Sequence, residues 1–142
     1  LKLSLACLCD YAADYQGKLT TVGAFDTIWS RKFPSSHPQC SVALRMIFRD
    51  EDEGEHRLRL EMVNPDGGLL IPAEKCPQVR FRMGRLPEKV FFITRNFVFH
   101  FQGLPVPAPG QYEIRIYYDD AILTPLPVQF VEAPSPPHPP QG

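Results

Sequence analysis

Four histidines (His37, His56, His100, His138), four cysteines (Cys7, Cys9, Cys40, Cys76) and sixteen Asp and Glu residues are the groups with which this chain could do chemistry. Their spacing matches no catalytic arrangement. A metal site on a β-scaffold wants two imidazoles on one strand face, as in His-x-His, and no such pair occurs. H-E-x-x-H, G-x-S-x-G, a P-loop and G-x-G-x-x-G are also missing. His56 alternates with Leu58 and Leu60, the position of a hydrogen-bonded histidine at the rim of a core. His37 lies near Cys40, and with Asp26 or an acidic loop residue it would make a nucleophilic pair only if the fold brought the groups within about 3 Å. The sequence therefore assigns no catalytic residue, no metal ligand and no cofactor. Cys7 and Cys9, two apart, share a strand face with Leu3 and Leu5 and read as small buried thiols; all four cysteines are too scattered for a disulfide framework.

Binding has better material. Arginine outnumbers lysine ten to five. Arg45 and Arg49, Arg57 and Arg59, and Arg80 and Arg82 all fall on the outward parity of their strands, so neighbouring strands would carry an arginine-rich stripe. The planar guanidinium fork suits carboxylate, phosphate and protein-interface contacts. Glu55 and Glu61 alternate along the same face, where cross-strand ion pairs compete for those arginines. Phe81, Phe91, Phe92, Phe97, Phe99 and Phe101 are dense enough to be read as buried between sheets rather than as a sugar-stacking platform, while Trp29 and Tyr117 have polar neighbours and read as exposed anchors. The candidate binding residues are thus Arg45, Arg57, Arg59, Arg80, Arg82 and Trp29.

The elements that must position these residues are strands. Apolar residues alternate with period two, and nowhere recur at helical spacing over three turns. Runs are expected at Lys2–Cys9, Leu19–Trp29, Val42–Phe48, His56–Met62, Val79–Met83, Val90–Phe101, Tyr112–Tyr118 and Ile122–Val131, with a short edge strand at Leu69–Ile71. Turns are signalled at Tyr15-Gln16-Gly17-Lys18, at Asn64-Pro65-Asp66-Gly67-Gly68 and at Asp119-Asp120. The acidic Asp50-Glu51-Asp52-Glu53-Gly54 is read as the turn of a hairpin joining the third and fourth runs. Phe33-Pro34 to Pro38 is read as a loop or a crossover between sheets, and Pro125 and Pro127 as marks of a sheet edge or bulge. The sum is an all-β fold with little or no helix: a two-sheet antiparallel β-sandwich, immunoglobulin-like, of about eight or nine strands.

At 142 residues and 16.1 kDa, one domain is expected, over residues 1–132. Residues 133–142, with five of the sixteen prolines, read as a disordered, polyproline-like tail whose P-x-x-P patterns could meet an aromatic groove. A net charge of -1 argues against nucleic acid, and no run reaches the ~18 apolar residues of a membrane-spanning helix. Leu1 to Cys7 resembles the end of a lipoprotein signal, but Lys2 and Ser4 interrupt it. The lack of a secretion signal and the unpaired look of the cysteines lead to the expectation of a cytoplasmic protein.

The strand ending Cys7-Leu8-Cys9-Asp10, the segments Gly17-Lys18-Leu19 and Val22-Gly23-Ala24-Phe25-Asp26-Thr27-Ile28, Phe33-Pro34, His37-Pro38 and Pro109-Gly110-Gln111-Tyr112 together resemble a family of small bacterial all-β proteins known only as a domain of unknown function. The resemblance covers Leu1 to about Val131 and implies a cytoplasmic bacterial protein with no assigned activity; its motifs are structural and name no chemistry. Residues and resemblance together give an uncharacterised, non-enzymatic binding or interaction module, using a protein partner or a homodimer formed along a strand edge. A small-ligand or carbohydrate-binding sandwich is the alternative, and a metal-dependent or Cys/His enzyme comes third.

Overall fold

Period-two alternation draws the chain into ten strands, and the computed structural model describes them over residues 1–134. They are β1 (Lys2–Tyr15), β2 (Lys18–Ala24), β3 (Thr27–Ser30), β4 (Ser35–Phe48), β5 (Gly54–Val63), β6 (Gln78–Met83), β7 (Ile93–Val106), β8 (Gly110–Tyr118), β9 (Ala121–Ile122) and β10 (Leu126–Glu132). Two short 3₁₀ turns, Asp50–Asp52 and Ala73–Lys75, are the helical segments among the described residues. The first sheet runs β2-β1-β4-β7 and the second β3-β10-β8-β5-β6, with β9 folded onto β8. This is the two-sheet β-sandwich expected, with one parallel pairing, β3 on β10. Of the tail expected at 133–142, Ala133 and Pro134 are described, and the Ala133 N–H donates to the Ser30 carbonyl at 2.8 Å; the rest lies outside the described residues.

The core lies between the sheets. Val42, Leu44, Met46 and Phe48 of β4 point at Leu58, Leu60 and Met62 of β5 and at Ile114 and Ile116 of β8, all nearly inaccessible. At roughly 1.5–3 kcal/mol for each large side chain removed from water, this layer is the main force holding the sheets together.

Several expectations are corrected by the pairing. The runs at 42–48 and 56–62 do bury alternate residues, but they are not a hairpin: β4 pairs with β1 and β7, β5 with β6 and β8. The acidic segment between them is a 3₁₀ crossover from one sheet to the other, because each strand must bury its apolar face against the opposite sheet. The run at 19–29 likewise splits into β2 and β3, which lie in different sheets. In β1 the register shifts between Leu3 and Leu5, so Leu3, Ala6 and Leu8 reach the main core while Cys7 and Cys9 turn to a smaller cluster with Ala12 and Ala43. Cys9, Cys40 and Cys76 are buried, Cys7 is half-buried, and all four thiols are free. Phe91 and Phe92, expected inside, are exposed, Phe91 at 81%. Pro127 sits where β10 touches only β8, since β3 joins it from Gln129 onward, so a proline within a flanked strand costs no ladder bond there.

Candidate binding face

The outer face of the second sheet is built by parity. Phe81 and Met83 of β6 and Leu58 and Leu60 of β5 point inward, which leaves Arg80, Arg82, Arg57 and Arg59 outward. Antiparallel pairing then puts Arg57 directly opposite Arg80, and Glu55 opposite Arg82. Between them lies an open cleft of about 560 Å³, lined by residues 55–57 of β5, 80–82 of β6 and the Asp119–Asp120 turn.

That turn forms one wall. Asp119 and Asp120 both have positive φ (47° and 67°), the two-residue geometry that matches strand twist and that Asp tolerates better than most residues. Asp119 is fastened from two directions: its Oδ1 accepts the Arg57 backbone N–H at 2.9 Å and its Oδ2 accepts from His56 Nδ1 at 2.6 Å. His56 Nε2 donates to the Asp52 carbonyl at 2.6 Å. Both ring nitrogens therefore face acceptors, an arrangement satisfied by the imidazolium. Burial of the ring opposes that charge, but the hydrogen bonds to Asp119 and to the Asp52 carbonyl outweigh it and raise the His56 pKa above its ordinary value. The ring also stacks on Tyr118, centroids 5.0 Å apart. The expected core-rim histidine is thus a clip between a hairpin turn and the 3₁₀ crossover.

The arginines divide into committed and uncommitted. Arg57 pairs with Asp120. Arg59 pairs with Glu61 while lying over the Tyr117 ring at 4.3 Å. Arg115, which the sequence reading did not single out, bonds Glu113 at 2.8 Å. Arg80 and Arg82 are exposed and make no side-chain hydrogen bond or ion pair among the described residues.

Two predicted residues lie elsewhere. Arg45 is on β4 of the other sheet, where its Nη1 donates to Asn96 Oδ1 at 2.8 Å and to the Gly17 carbonyl at 3.2 Å, pinning the β1–β2 turn. Its outward parity was legible, but parity alone does not say which sheet a strand joins. Trp29 is 61% exposed on β3, at the opposite edge of the second sheet from β6. The nucleophilic grouping is not assembled: Cys40 is buried in the main core and His37 packs on Phe25. Ser41 Oγ meets His100 Nδ1 at 2.8 Å, a pair that sequence spacing did not suggest, but Ser41 is wholly buried and beyond the reach of a substrate. Among the described residues no group of three or more His, Cys, Asp or Glu side chains is placed to hold a metal ion. The Asp119–Asp120 wall was missed as a site feature; two acidic residues in a two-residue turn signalled only a turn.

No curated protein matches the chain. Among solved structures, a glycosyl hydrolase family 2 member from Bacteroides cellulosilyticus DSM 14838 is similar at 9% identity and a TM-score of 0.36. The match covers 68% of this chain and 14% of that one, a likeness too slight to carry an argument. Residues 4–131, nearly the whole sandwich, match a family described as "Family of unknown function (DUF6941)", and the chain belongs to that family.

Proposed function

We propose that this chain is a non-enzymatic interaction module that binds an anionic protein segment on the outer face of its second sheet. One observation carries the reading: Arg80, exposed and without an acidic partner, stands directly across from Arg57 at the cleft. Like charges opposite each other on a sheet cost a few tenths of a kcal/mol to about one. Arg57 is neutralised by Asp120, so Arg80 and its neighbour Arg82 are the guanidiniums left to meet a carboxylate at this cleft. The cleft is open and rimmed by charge rather than by apolar side chains, which favours a protein segment over an enclosed small ligand. Stacking of a carbohydrate on Phe81, Phe97 or Phe99 has little support, since all three are buried.

Further support comes from the frame. Tyr112 Oη donates to the Ala108 carbonyl at 2.9 Å, a contact similar to the tyrosine corner of immunoglobulin-like sandwiches and a support for that reading of the build. Four free thiols suit a reducing compartment such as the cytoplasm. Fluorescence anisotropy with labelled hexaglutamate and hexalysine tests the reading. Hexaglutamate is expected to bind in a salt-sensitive manner and to weaken about tenfold or more on Arg80→Glu. Equal binding of hexalysine, or no effect of the substitution, contradicts it.

A further inference from the structure

Two of the cleft's arginines, Arg80 and Arg82, belong to a strand with an unused edge. Among the described residues β6 pairs with β5 alone and is the last strand of its sheet. Which of its backbone groups face outward follows from two contacts. The Pro77 carbonyl accepts the Leu60 N–H of β5 at 2.9 Å, whereas the Arg82 carbonyl accepts Arg95 Nη1 at 3.4 Å from the far side. Alternate residues of an antiparallel strand address opposite neighbours, so residues 79, 81 and 83 bond to β5, and Gln78, Arg80 and Arg82 turn their N–H and C=O groups to the open edge. Arg80 carries both an uncommitted guanidinium and outward backbone groups, and Arg82 an uncommitted guanidinium and an outward N–H beside a carbonyl that Arg95 already meets.

We infer that β6 is a docking edge for an extended acidic segment, which adds to the sheet as a further strand and places two carboxylates, two residues apart, beside Arg80 and beside Arg82 or Gln78. This rests on the anionic-partner reading above and gives that partner a conformation and a spacing. A strand added at this edge has its side chains in phase with β6: the residue opposite Arg80 projects on the same outer face as the guanidinium, and so does the residue two further along, about 7 Å away. The residue between them faces the apolar side, over the Phe81 edge. Arg95 lies against the Phe81 and Phe97 rings and already caps the Arg82 carbonyl, so the incoming strand makes its full pair of backbone bonds at Arg80 and Gln78.

Charge selects the occupant. A second copy of this chain meeting edge to edge through β6 would bring Arg80 and Arg82 against the same residues of its mate, and charged edge residues of this kind suppress such pairing. Glu55, opposite Arg82, takes part of the attraction at that position and leaves Arg80 as the principal cation. A segment of the form Glu-x-Glu answers both the edge and the charge.

The test uses three peptides of equal charge and the intact chain, with binding read by calorimetry and the edge amides read by hydrogen exchange. The first peptide is Thr-Glu-Thr-Glu-Thr-Thr, the second Thr-Thr-Glu-Glu-Thr-Thr, and the third is the first with alternate backbone amides methylated so that it cannot pair with β6. The inference predicts that the first binds about tenfold tighter than either control, slows exchange at Gln78 and Arg80, and loses about tenfold on Arg80→Glu but nothing on Arg31→Ala, an exposed arginine just after β3 at the opposite edge of the sheet. Equal binding of all three, still weakened by Arg80→Glu, overturns strand addition and leaves an anion-binding face. Failure of all three to bind overturns both readings.

Discussion

His56 is held between Asp119 Oδ2 and the Asp52 carbonyl, each 2.6 Å from a ring nitrogen, so one imidazolium joins the β8–β9 turn to the crossover between sheets. The sign of its pH dependence follows. A pKa raised in the folded state means that the contribution to stability is complete below the ordinary histidine value and is lost as pH rises through the folded value. The urea midpoint should fall on going from about pH 6 to about pH 9, and His56→Gln should flatten that fall. A wild-type midpoint unchanged across the interval would contradict the clip.

Asp119 titrates in the opposite sense. Burial acts to raise its pKa, and the His56 hydrogen bond and the Arg57 N–H overcome this and hold it below the usual carboxylate value. Its contribution is present above the ordinary value and is lost as pH falls through the folded one. Asp119→Asn keeps a residue that accepts positive φ but removes the charge, and should cost about 1–2 kcal/mol near pH 6. The double variant with His56→Gln should cost less than the sum of the two, which a double-mutant cycle measures directly.

Burial divides the thiols. Desolvation pushes Cys9 and Cys40 up to about 11, and Cys76 is raised by the same cause. At about pH 8 in native conditions a thiol reagent should modify Cys7 first, and denaturant should release the other three. Rapid modification of Cys40 in the folded chain would be incompatible with its place in the core.

Backbone and core substitutions should separate by environment. A Cβ at Gly23, whose φ is +68°, would stand 2.5 Å from Asp10 Oδ2, so Gly23→Ala should destabilise by about 1–3 kcal/mol. Leu44→Ala should cost about 2–5 kcal/mol, while Phe91→Ser, at an exposed position, should stay within about 0.5 kcal/mol. Thermal or urea unfolding of the three variants checks the ranking.

Much of the architecture was legible because a half-buried strand shows its period in its residues. Val42 to Phe48 and His56 to Met62 revealed their buried faces through alternation alone. Their partners did not show, because the same pattern serves a strand whichever sheet receives it, and the apparent hairpin proved to be a crossover. The bulge in β1 was illegible for a related reason: one register shift reverses every later side chain, and Leu3 and Leu5 look alike to an alternation argument. At the candidate site, Arg57 and Arg80 were on the expected face, but their opposition depends on a register that neither strand carries by itself. Arg45 shared their parity and went to the other sheet.

Arg80→Glu has a further consequence. It replaces a like-charged cross-strand pair with an opposite-charged one, so the variant should be more stable than wild type by a few tenths to about 1 kcal/mol while binding acidic segments less well. Loss of stability on this substitution would mean that Arg80 serves the fold.

The central claim is tested most directly by titrating the isotope-labelled chain with unlabelled hexaglutamate at low salt and following backbone amide and arginine Nε resonances. The account predicts shifts at Arg57, Arg80 and Arg82, with Arg45 and Trp29 unmoved. Shifts centred on Trp29 or Phe91, or none anywhere on the second sheet, would contradict it.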